Sequence, residues 1–117
     1  MTYIDILNDF DHWLRSNYLP GNSRLLFYSM LAVFNEAAWP ESVQIDNFRL
    51  MGMIDVRTER AAISARDKLV EAGFIRYIKG KKRHPNIYYL EKYRVEKVSV
   101  SGSPNRSHIK IYIKINY

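Results

Sequence analysis

Lys79, Lys81, Lys82, Arg83 and His84 are packed into one short stretch, with Arg76 just before it. Cations crowded this closely repel one another unless an anion neutralises them, so the stretch is chemically suited to phosphate. A second set lies upstream. Arg60, Ser64 and Lys68 are spaced by four and share one side of a helix, while Arg57 and Thr58 stand at its start. Arg66 is out of phase with that stripe and is expected to face the core, paired with an acid.

Other chemistries find little support. The chain has no cysteine, which excludes disulfides, thiolate zinc sites and a cysteine nucleophile. His12, His84 and His108 are scattered, with no second ligand at metal-binding spacing. His12 beside Asp9 and Asp11 reads as a polar helix face. Gly80 and Gly102 fall in hairpin turns, so no glycine-rich loop leads into a helix to cradle phosphate. A tyrosine nucleophile needs metal or arginine clusters around it. Tyr88 and Tyr89 are expected instead to brace a hairpin, one on each face. The expectation is a binding protein, with no enzymatic activity, cofactor or metal.

Charge is distributed unevenly. The 117 residues are 47% hydrophobic and 26% charged, with a net charge of +6, enough for one small core. Residues 1–56 carry three basic residues (Arg15, Arg24, Arg49) against seven acidic ones, a balance of −4. Residues 57–117 carry fifteen against five, a balance of +10. A step of that size polarises the field and suits one face to a polyanion, nucleic acid above all. The longest apolar stretch, Leu25–Trp39, is broken by Ser29, Asn35 and Glu36 and spans no membrane. Met1-Thr-Tyr-Ile-Asp lacks a basic leader, so a cytoplasmic protein is expected.

The elements that position these residues follow from periodicity. Thr2 with Asp5 resembles a capping box, and Tyr3, Ile6, Leu7, Phe10, Trp13 and Leu14 recur at helical spacing to about Ser16. Leu19-Pro20-Gly21-Asn22 is a turn, with Asn22 or Ser23 capping a central helix from about Arg24 to Ala38. Trp39-Pro40 ends it. Ser42–Ile45 is a short extended piece, Asp46 caps a helix from Asn47 to about Met53, and Thr58 caps a fourth helix to Ala72 before Gly73. Phe74–Ile78 and Ile87–Leu90 flank the basic stretch as a hairpin. Val98 and Val100, a 102–108 turn and the alternating Ile109, Ile111, Ile113 and Ile115 predict a second hairpin.

Two short helices joined by a tight turn, followed by a hairpin with a basic tip, form a winged helix-turn-helix. The expected class is therefore α+β, with residues 1–93 as the DNA-binding domain and 94–117 as a β-hairpin extension for assembly. In such a fold the second helix enters the major groove, and the wing reaches phosphates or an adjacent minor groove. Candidate DNA contacts are Arg57, Thr58, Arg60, Ser64, Lys68, Arg76, Lys79, Lys81, Lys82, Arg83 and His84.

Ala38-Trp39-Pro40-Glu41, Asn47 with Leu50, Ala65-Arg66-Asp67-Lys68-Leu69 and Gly73-Phe74-Ile75 resemble the N-terminal winged-helix domain of DnaD-like replisome organisers. The resemblance covers roughly Met1 to Leu90. It implies origin binding by replication initiation proteins of phages, mobile elements and Gram-positive bacteria, self-association, and a replicative helicase or its loader as partner. Ser42 stands where a second aromatic is frequent, and Val56 where a glycine is usual. The family's C-terminal helical domain lies outside the match, which leaves a fragment or a short relative as the two expectations.

Two classes of function follow. One is sequence-directed duplex DNA binding, in replication initiation or as a transcription regulator. The other is an interaction module that binds DNA weakly and without sequence preference. The row Ile109, Ile111, Ile113 and Ile115 favours assembly, because a β-branched ridge on a terminal strand needs cover. A homodimer or higher homo-oligomer is expected. The alternative cover is the Phe10 and Trp13 face of the first helix.

Overall fold

The computed structural model describes residues 2–91 together with the strands Tyr93–Lys97 and Ile109–Ile113. Four helices support a small sheet, two before its first strand and two after it: α1 (Tyr3–Leu14), α2 (Gly21–Glu36), α3 (Asn47–Met53) and α4 (Glu59–Glu71). The strands are β1 (Val43–Ile45), β2 (Ile75–Ile78), β3 (Asn86–Leu90), β4 (Tyr93–Lys97) and β5 (Ile109–Ile113). β3 lies between β1 and β2, antiparallel to both, and β4 pairs with β5 in a separate two-stranded sheet. This α+β order of four helices and a three-stranded antiparallel sheet is compatible with a winged helix. Among the described residues, no helix is long and apolar enough to cross a membrane.

Local signals start three of the helices. The Thr2 hydroxyl accepts from the Asp5 amide while the Asp5 carboxylate accepts from Thr2, a complete capping box for α1. Asp46 and Thr58 cap α3 and α4 by accepting from the amides of Arg49 and Ala61. α2 differs from expectation. It begins at Gly21, and neither Asn22 nor Ser23 caps it; the Pro20 carbonyl accepts from the amides of Ser23 and Arg24 instead. Ser23 is buried, and its hydroxyl donates to the Ala65 carbonyl at 2.9 Å, tying α2 to α4. The packing of the two helices claims the side chain that the sequence offered as a cap.

Three helices end in one device. At the end of α2, two residues before the expected Ala38, the Trp39 amide donates to Phe34 and the Ala38 amide to Asn35. After α4, Phe74 donates to Leu69 and Gly73 to Val70. After α3, Val56 donates to Met51. These are the reverse-turn bonds of Schellman-type caps, which place the residue after the cap in the left-handed region. Gly73 takes that conformation freely at φ 83°, whereas Ala38 (63°) and Asp55 (53°) take it with a Cβ. Trp39 is itself left-handed at 58°, held by its ring against Phe34 and Tyr3 and by its indole N–H on Asn35.

The core forms where α1, α2 and the end of α4 converge. Phe10, Phe27 and Phe74 are fully buried and meet with ring centroids 4.4–5.3 Å apart. Trp13 closes on Phe74 at 4.9 Å. The aromatic face of α1 thus packs on α2 and Phe74; the side chains of the isoleucine row lie outside the described residues. On the outer side of α1, the Tyr28 hydroxyl of α2 donates to Asp11 at 2.5 Å. Burial, then this bond to a carboxylate, pushes the Tyr28 pKa up to about 12.

The described strand that pairs with β5 is Tyr93–Lys97; Val98 and Val100, on which the expected strand rests, lie outside the described residues. The register places Ile109, Ile111 and Ile113 opposite Lys97, Val95 and Tyr93. Ile115 lies outside the described residues.

Ala38 occupies a backbone position that glycine adopts without strain, so Ala38→Gly should raise unfolding free energy by about 1 kcal/mol. Urea denaturation of the two proteins measures it. An equal or lower midpoint would mean that the left-handed turn at Ala38 carries no cost.

Candidate nucleic-acid interface

β2 and β3 form a hairpin whose connection, Lys79 to Pro85, holds the cations singled out above. The loop is tightly built. The Gly80 amide donates to the Asn86 side-chain oxygen at 2.9 Å, and the His84 amide donates to the Lys81 carbonyl at 2.7 Å. A Cβ on Gly80 would collide with the backbone carbonyls of His84 and Pro85, so only glycine lets the two sides of the loop close. Asn86 also reaches Asn47 at 3.5 Å, linking the base of the loop to the start of α3. Lys79, Lys81, Lys82, Arg83 and His84 are all exposed. Among the described residues, none of them forms an ion pair.

α4 presents Arg60, Ser64 and Lys68 to solvent in one stripe, with Arg57 and Thr58 exposed at its start. Its opposite side, Ala62, Ala65, Arg66 and Leu69, is buried. The Thr58 hydroxyl is engaged as the helix cap. Acids interrupt the exposed side: Glu59 and Glu71 are exposed at its two ends, and Asp67 is partly exposed.

Arg76 stands apart from the loop cations. It lies on β2, pairs with Glu91 at 3.3 Å and stacks over the Tyr89 ring at 3.7 Å. These contacts hold its charge against the sheet. Tyr89 carries this stack on one face while Tyr88 is buried on the other, as the alternation of a strand requires.

Arg66 is the main cross-brace between α4 and the hairpin, and only 5% of it is exposed. Its guanidinium donates to Asp67 at 2.9 and 3.1 Å and to the Tyr77 hydroxyl at 3.0 Å, and lies 4.0 Å from the Tyr77 ring centroid. Tyr77 in turn stacks on Tyr88, its partner in the β2–β3 register. The Tyr88 hydroxyl is buried without a hydrogen bond. Burial raises its pKa, and neighbouring Asn86 and Arg66 pull it part of the way back. The expected acidic partner of Arg66 is its own neighbour, Asp67. Its aromatic partner, eleven residues away, left no sequence signal because the contact exists only once β2 packs against α4.

Two features were not anticipated from sequence. Phe48 on α3 is 82% exposed, although helical spacing alone does not tell a surface phenylalanine from a core one. Asn86, expected to be a loop residue, opens β3 and braces the basic tip. Along α1 a shallow depression is lined by Asp5, Asn8, Asp9, Asp11, His12 and Arg15. Among the described residues, no group of histidines and carboxylates is placed to hold a metal ion.

No protein-family model, curated protein or solved structure matches this chain.

Proposed function

We propose that the chain is a winged-helix module that binds double-stranded DNA, with α3 and α4 as its helix-turn-helix and the β2–β3 hairpin as its wing. The exposed stripe of α4 faces the major groove, and the wing lies on phosphates beside it. One observation carries the reading: a braced hairpin tip presents Lys79, Lys81, Lys82 and Arg83 without ion-pair partners among the described residues. Cations fixed in this way meet a phosphate backbone at little ordering cost. The Arg66 brace supports it, because it holds α4 and the wing in one orientation.

The biological setting we assign is replication initiation, of the kind the resemblance to DnaD-like replisome organisers implies, in a cytoplasmic protein with a helicase or helicase loader as further partner. Transcription regulation by the same interface is the near alternative. An assembly role has its own support in Phe48, since an aromatic side chain this exposed suits a protein contact. We place homo-oligomerisation on Ile109, Ile111 and Ile113 of β5, together with Ile115.

Duplex binding should weaken steeply with salt, at about −0.9 per phosphate contact on a log–log plot. Replacing Lys81 and Lys82 with alanine should flatten that slope by about one to two units on every sequence tested. An unchanged slope removes the wing from the interface.

Arg60→Ala should reduce preference for a selected site over random DNA, by about 1–3 kcal/mol if Arg60 pairs with guanine in two-pronged fashion. Selection from a random duplex library followed by titration of both ligands measures this. Equal losses on both would assign Arg60 to phosphate.

In sedimentation, the intact chain should run as a dimer or larger, and a chain ending at Tyr93 as a monomer. Two monomers would refute the assembly role of the C-terminal strands, and two dimers would move the interface to the helical part.

A further inference from the structure

We infer that Asn86 is a positioning residue, which sets the phosphates met by the wing in register with the bases faced by α4. The inference rests on the DNA-binding reading above and goes beyond it, since that reading gives Asn86 no part in choosing a site.

The first observation is where Asn86 ties the hairpin. Among the described residues, two side-chain hydrogen bonds join the hairpin to the helices, Arg66 to Tyr77 and Asn86 to Asn47. Tyr77 stands opposite Tyr88 in the register, and Asn86 lies two residues beyond Tyr88 towards the tip, about 7 Å further out. β1 ends at the same level, with Ile45 opposite Asn86. Among the described residues, no hydrogen bond or ion pair joins the stretch Lys79 to Pro85 to a helix. A hairpin held only at Tyr77 can pivot there, and a second tie further out removes the pivot.

The second observation is chemical. The Asn86 carboxamide accepts from the Gly80 amide at 2.9 Å and donates to the Asn47 side-chain oxygen at 3.5 Å. It thus closes the loop on one side and holds α3 on the other. An aspartate could not donate, and an alanine could do neither. Gly80 leaves no slack in the closure, because a Cβ on it would meet the His84 and Pro85 carbonyls. Asn47 and Asn86 are half-buried and stand outside the hydrophobic core, so the bond between them adds little to folding stability. Its effect is directional. α3 packs on α4, so a wing tied to α3 carries its exposed cations at a set distance from Arg60, Ser64 and Lys68. Contacts at two places on one duplex reinforce each other only when their spacing matches the DNA.

Titration of the intact chain against a selected duplex and a random one of equal length tests the inference. Asn47→Ala removes the tie and leaves the Gly80 closure, whereas Asn86→Ala removes both. Each should lower the preference for the selected duplex by about tenfold, the cost of ordering a loosened loop on binding. Neither should flatten the salt slope, because every cation of the wing is kept. Their thermal midpoints should stay close to that of the wild type. Asn47→Asp, whose carboxylate still accepts from Asn86, should restore the preference. In a chain already carrying Lys81→Ala and Lys82→Ala, Asn86→Ala should change the preference no further. An unchanged preference in both alanine variants, or equal losses on the two duplexes, means that Asn86 does not set the register although DNA binding stands. If the wild-type chain binds neither duplex, the DNA-binding reading falls and this inference with it.

Discussion

Phe74 is the residue on which the arrangement depends. Its amide closes the turn after α4 on Leu69, and its carbonyl accepts from Glu91 where the hairpin returns. Its ring sits between Phe10, Trp13 and Phe27, so one side chain joins α1, α2, the end of α4 and the start of β2. Burying a phenylalanine contributes about 1.5–3 kcal/mol of transfer free energy, a sizeable fraction of a small domain's stability. Gly73 makes the placement possible, because its left-handed backbone turns the chain sharply enough to fold Phe74 under the helix it has just left.

From that anchor the hairpin leaves the core in a fixed direction, and Arg66 holds it there. A guanidinium shielded from water is costly unless its hydrogen bonds are met, and here Asp67 and Tyr77 meet them from two different elements. The brace acts at one end of the hairpin while Gly80, Asn86 and the Lys81–His84 turn order the other. Cations inside the fold are therefore paired, and those at the tip are left facing solvent. The same residue type performs different tasks according to its depth: Arg66 ties helix to sheet, Arg76 stacks on Tyr89, and Arg83 is exposed in the turn of the loop.

The sequence determined what depends on near neighbours. Capping at Thr2, Asp46 and Thr58, the glycine stop at Gly73 and the hairpin around the basic loop all involve residues within a few positions of one another. For the same reason the exposed stripe Arg60, Ser64 and Lys68 was legible, since helical spacing alone separates it from Ala62 and Leu69. What only the tertiary structure decided involves partners far apart in the chain or backbone with no compositional mark. Ser23 looks like a cap until Ala65, forty-two residues on, takes its hydroxyl. Ala38 and Trp39 form a left-handed turn without glycine because packing of the Trp39 ring offsets the strain. Arg66 finds Tyr77, and Arg76 is drawn to Glu91 and Tyr89, only after β2 and β3 align. Local hydrogen bonds are written in spacing; contacts across the core exist only when a whole chain has collapsed around them.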